Sequence, residues 1–84
     1  MKLKEILDKR LDLSLELIDL ENELRFLNED LKHLFLDMEE EAEPEGGPIC
    51  DQYADAIRSK EIEITGCEIR ISKKEKQLEE LNQL

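Results

Sequence analysis

Between Leu13 and Met38 the apolar residues recur at alternating steps of four and three: Leu13, Leu17, Leu20, Leu24, Leu27, Leu31, Leu34 and Met38. This alternation keeps one narrow stripe on the same side of an α-helix. It is the seam of a coiled coil, and a helix that carries it needs a partner helix. Leu3 and Ile6 continue the stripe toward the N-terminus, with Arg10 as its one polar break. The same alternation returns later as Cys50, Tyr53, Ile57, Lys60, Ile64, Cys67, Ile71, Lys74, Leu78 and Leu81. Between the two series, Pro44 disfavours helix at Glu43, and Gly46-Gly47-Pro48 is a turn signal. The pattern predicts helix 1 over about residues 2–42, a turn over about 43–48 and helix 2 over about 49–83. The second helix can start at Pro48 with Gly47 as its cap, or slightly later with Asp51 as N-cap.

Folding the chain back at this turn brings the two stripes into one register. Met38 faces Tyr53, Leu34 faces Ile57, Leu31 faces Lys60, Leu27 faces Ile64 and Leu24 faces Cys67. Leu20 then faces Ile71, Leu17 faces Lys74, Leu13 faces Leu78 and Arg10 faces Leu81. Each pair joins an a position to a d position, as an antiparallel coiled coil requires. The expected fold is all-α: a single-domain, two-helix antiparallel coiled-coil hairpin. At 1.5 Å per residue its arms make a rod on the order of 50 Å long.

One stretch reads two ways. Residues 61–71 alternate polar and apolar around Thr65-Gly66, which in isolation suggests a short β-hairpin. Gly66 also costs a helix interior roughly 1 kcal/mol. An isolated pair of strands is marginal, however, and a continuous helix keeps Ile64, Cys67 and Ile71 in the seam. Helix is the expectation.

Composition supports a long-helix protein: charged residues make up 42% of the 84, and aromatics 4%. Disorder is the rival for so charged a chain, but 39% of the residues are hydrophobic and they are periodic. The net charge of −11 is unevenly placed. Residues 37–55 hold eight acids and no base, including Glu39, Glu40, Glu41, Glu43 and Glu45. Residues 1–12 and 70–84 together hold eight bases against six acids. The folded rod is therefore expected to have an acidic tip and a mildly basic opposite end. Lys2, Lys4, Glu5, Asp8, Lys9 and Arg10 interrupt any secretory apolar run, and no stretch approaches the length of a membrane span. The expected setting is soluble and cytoplasmic, with no membrane contact, and two cysteines without pairing logic agree with a reducing compartment.

A two-helix rod covers only one stripe of each helix. Ile62 and Ile69 lie a heptad apart, facing away from the seam, and Leu15 and Leu36 take the comparable position on helix 1. Leu7, Leu11 and Ile18 widen the apolar face near the N-terminus, and Phe26 and Phe35 are also unpaired. Scattered surface hydrophobes are ordinary, which suffices for Phe26 or Leu36 alone. Leu7, Leu11, Leu15, Ile18, Ile62 and Ile69 together are expected to meet protein. Flanking charges agree: Glu21 would lie near Glu68 and Asp30 near Glu63, with only Glu23 and Arg70 well matched. Two hairpins side by side would make a four-helix bundle, and an antiparallel arrangement would set each acidic tip beside the other copy's basic end. In architecture alone this resembles the small dimeric helical-hairpin RNA-binding regulators found on plasmids; no motif of theirs is carried over.

Candidate chemistry is sparse. Cys50 and Cys67 stand about 25 Å apart along one helix, too far for a disulfide, and both read as small seam hydrophobes. His33 is the only histidine and sits among polar residues. No Cys/His spacing suggests zinc, no nucleophile–base arrangement emerges, and a rod offers no enclosing pocket; no catalytic, metal or cofactor site is expected. The Glu39–Glu45 run reads as a solvated turn, a docking point for a basic surface or, least of all, a weak cation site without EF-hand spacing. Lys60, Lys74 and Arg10 can pack their stems in the seam and select its register.

These features favour a non-enzymatic protein–protein interaction module, an adaptor, assembly factor or inhibitor, acting as a homodimer through its outer apolar stripe and acidic tip toward a protein partner. One alternative is an acidic, DNA-mimicking inhibitor of a nucleic-acid-binding protein, although the charge gathers at one end instead of tracking a phosphate path. The weaker alternative is direct nucleic-acid binding by Lys2, Lys4, Lys9, Lys73, Lys74 and Lys76, where interspersed acids oppose it.

Overall fold

The computed structural model describes residues 2–41 and 48–83, with side chains from residue 51 onward in the second stretch. Helix α1 spans Leu3–Glu41 and helix α2 spans Pro48–Asn82. The two pack against each other along their length as a hairpin measuring 64 × 14 × 13 Å. Its radius of gyration is 18.9 Å, against about 12 Å for a compact chain of this length, so the molecule is a rod. Helix α2 opens on Pro48, the earlier of the two expected starts; proline at the first helical position forfeits no hydrogen bond there.

The described side chains that are not fully exposed map onto the seam. In α1 they are Ile6, Leu13, Leu17, Leu20, Leu24, Leu27, Leu31, Leu34 and Met38, with Ser14 beside them. In α2 they are Tyr53, Ile57, Lys60, Ile64, Cys67, Ile71, Lys74, Leu78 and Leu81, with Ala56 and Gly66. The tightest packing lies midway along the rod, where Leu17, Cys67 and Ile71 form a buried cluster flanked by Leu20, Leu24, Leu27 and Leu78. Cys67 is fully enclosed, and its Sγ lies 3.3 Å from the Leu20 carbonyl oxygen, to which the thiol donates. Only a small side chain at this position lets the helix backbones come this close.

Residues 61–71 are helical throughout, so the seam outweighs the short period-two alternation. A two-stranded excursion would have removed Ile64, Cys67 and Ile71 from the rod's best-packed region. Arg10 departs from expectation: it is exposed, whereas Leu81 is half-buried. Near the open end a long cationic side chain can leave the seam for water at little cost.

Candidate interaction surfaces

The seam lysines organise the charges beside them. Lys60 Nζ lies 3.3 Å from Glu63 Oε2 on its own helix and 3.7 Å from Asp30 Oδ2 on α1, while its side chain is 24% exposed. One ammonium thus stands between the two carboxylates that were expected to repel. Lys74 does the same for a single acid, with Nζ 2.7 Å from Glu16 Oε2. Sequence reasoning placed both lysines in the seam but did not name these acids. The signal was there: Glu63 follows Lys60 by three residues, and Asp30 and Glu16 each precede the leucine facing a lysine. Arg70 does not pair with Glu23 as expected; its Nε donates to the Gly66 carbonyl at 3.3 Å.

At the turn end of the rod, the Tyr53 hydroxyl donates to Glu41 Oε2 at 2.7 Å. That hydrogen bond, then desolvation, then the charges of Glu41, Asp37 and Glu40 push the Tyr53 pKa up to about 12. Glu39, Glu40 and Glu41 end α1 and are exposed, which places part of the acidic tip at this end. Glu43 and Glu45 lie outside the described residues, as does the Cys50 side chain. Burial pushes the Cys67 thiol up from its ordinary range, helped by Glu23 and opposed by Arg70.

All six residues expected on the outer face are exposed: Leu7, Leu11, Leu15, Ile18, Ile62 and Ile69. They do not form one patch. Leu7, Leu11, Leu15 and Ile18 cover part of α1 toward the open end, while Ile62 and Ile69 belong to the far side of α2. Since the seam joins the helices, residues directly opposite it on each, such as Leu15 and Ile62, face opposite directions. Ile62 and Ile69 share a shallow groove of about 480 Å³ with Arg58, Glu61, Thr65 and Gly66, built from α2 alone. A second open groove of about 540 Å³ lies between the helices at the open end and includes Leu13, Leu81 and the Lys74–Glu16 pair. Among the described residues no three His, Cys, Asp or Glu side chains cluster as metal ligands, and no helix is long and apolar enough to cross a membrane.

No family model, no curated protein and no solved structure matches this chain.

Proposed function

We propose that this hairpin is a non-enzymatic protein-interaction module, and that a second copy of itself is the first protein it binds. The observation that carries the reading is an imbalance in burial. Among the described residues four hydrophobic side chains are buried, whereas ten large ones stand exposed along the rod. A monomer leaving that much apolar surface in water forgoes stabilisation that a further helix would supply. Charge gives the pairing a direction. Residues 37–55 carry only acids among their charged residues and the opposite end carries the excess of bases, so the antiparallel alignment sets unlike ends together and repels less than the parallel one. The dimer is accordingly an antiparallel four-helix assembly, with the acidic tip and the remaining outer surface left for a protein partner.

Sedimentation equilibrium at low and high salt tests this. The expected result is a dimer whose affinity changes with salt, because salt screens both the end-to-end attraction and the repulsion between two chains of net charge −11. A salt-insensitive dimer would remove the charge argument and leave the apolar one. A monomer at every concentration would refute self-association.

A further inference from the structure

On the reading that the hairpin self-associates, we infer that the contact is the far side of α2, where two copies meet antiparallel about a two-fold axis beside Thr65 and Gly66. Gly66 is the first reason. It sits mid-helix at a standing cost, and a Cβ built on it would meet nothing within 4 Å. Nothing within the chain therefore requires glycine there, whereas a neighbouring backbone coming close would. The groove around Gly66 is bounded by Ile62 and Ile69, 67% and 50% exposed.

The second reason is the row of residues directly opposite the seam: Asp55, Ile62, Ile69 and Lys76, seven apart. Reversing α2 about the point between Thr65 and Gly66 lays Ile62 on Ile69 of the second copy and Ile69 on its Ile62. The same operation lays Asp55 on Lys76 and Lys76 on Asp55. One residue row is thus its own complement in both apolarity and charge, as an isologous contact requires. On the flanks Glu61 meets Glu68, which opposes the pairing, and Glu63 meets Arg70, which favours the pairing. Arg58 meets Lys73, which does not, although Arg58 already has Asp55 as a neighbour at 3.7 Å.

The third reason is position. Thr65 is the midpoint of Pro48–Asn82, so this axis overlaps the two α2 helices end to end. It also sets the exposed Glu39–Glu41 end of each copy beside the other copy's basic end. The α1 surface of Leu7, Leu11, Leu15 and Ile18 is symmetric only about Leu11, where Leu7 falls on Leu15 but the two copies overlap over no more than residues 3–19 of α1. In α1 the corresponding row reads Asp8, Leu15, Asn22, Glu29 and Leu36, and reversing it about Asn22 lays Leu15 on Glu29 and Asp8 on Leu36.

The test uses the full chain and sedimentation equilibrium. Gly66→Gln adds a good helix former whose first carbon enters open space, so the thermal stability of dilute protein rises while the dimer weakens at least tenfold. Asp55→Lys alone and Lys76→Asp alone each turn two attractions into two repulsions and weaken the dimer about tenfold at low salt. Mixing those two variants restores the wild-type affinity as a heterodimer. A wild-type dimer indifferent to all three changes would overturn this interface while sparing self-association, and would direct attention to Leu7–Ile18. A wild-type monomer would overturn both.

Discussion

Leu17→Ala, set beside Leu15→Ala, tests the assignment of inside and outside most directly. Leu17 is 8% exposed and belongs to the buried cluster with Cys67 and Ile71. The substitution removes three carbon groups, and at about 0.8 kcal/mol per buried CH₂ the transfer loss is about 2.4 kcal/mol. A cavity penalty adds little, because the seam is one side chain thick and the gap opens to water. Alanine returns a few tenths in helix propensity. The expected cost is about 2–3 kcal/mol, near the low end for buried leucines. Leu15 is 53% exposed on the opposite side, so its replacement should stay within about 0.5 kcal/mol of wild type. Urea unfolding followed by helical circular dichroism, at a concentration below association, measures both. For a chain of this size the whole stability is about 4–12 kcal/mol, so the difference is large on that scale. Equal effects, or a Leu17 cost under about 1 kcal/mol with an unchanged urea slope, would refute the seam.

Two titrations probe the ends of the packing gradient. The chain has one tyrosine and no tryptophan, so tyrosinate absorbance reports Tyr53 alone. Its pKa should lie near 12 and fall toward 10 in Glu41→Gln; a wild-type value of 10 would show that the Glu41 contact does not hold in solution. The raised value favours the protonated phenol, so its contribution to stability is complete below pH 10 and disappears as pH rises through about 12. In a Cys50→Ser background, Cys67 should react with a thiol reagent far more slowly than in the urea-unfolded chain. Labelling at the unfolded rate would mean that Cys67 is not enclosed.

The seam was legible because a heptad encodes both which residues are inside and, once the turn is placed, which residues meet. Residues 61–71 show the limit of local pattern. Over so short a run, period two and period 3.5 share several positions, and only the seam on both sides decides for helix. The paired charges were harder to read. A heptad assigns Asp30 and Glu63 to neighbouring flanks but does not say that the Lys60 ammonium, leaving the seam, passes between them. Arg10 had the same freedom and took the opposite course into solvent, because the open end of the rod constrains it less. The outer surfaces were legible as exposed but not as joined. Their division between two sides follows from geometry around each helix axis, which a count of hydrophobes does not contain.

The register is held by two devices, the residues between the helices and the seam lysines. Sliding α2 by one heptad so that Lys60 approaches Asp37 would bring Lys74 to Glu23, and both lysines would still find acids. Charge does not oppose that slip, but it moves the apex of the hairpin toward residue 49 and requires α1 to continue through Pro44, at a cost of about 3 kcal/mol or more. Sliding the other way moves the apex toward residue 42 and takes α2 back through Gly46 and Gly47, at about 1 kcal/mol each. Pro48 then leaves the first helical position for the interior of α2, so the turn opposes this slip as well, and charge adds to it. In that direction Lys74 leaves Glu16 and arrives at Lys9, exchanging an ion pair at 2.7 Å for a repulsion inside a partly desolvated seam. Turn chemistry opposes both misalignments, and a seam lysine adds to the second. A hairpin with so few buried residues can in this way hold one alignment, and a fixed alignment is what a second helix face needs before it can present a symmetric contact.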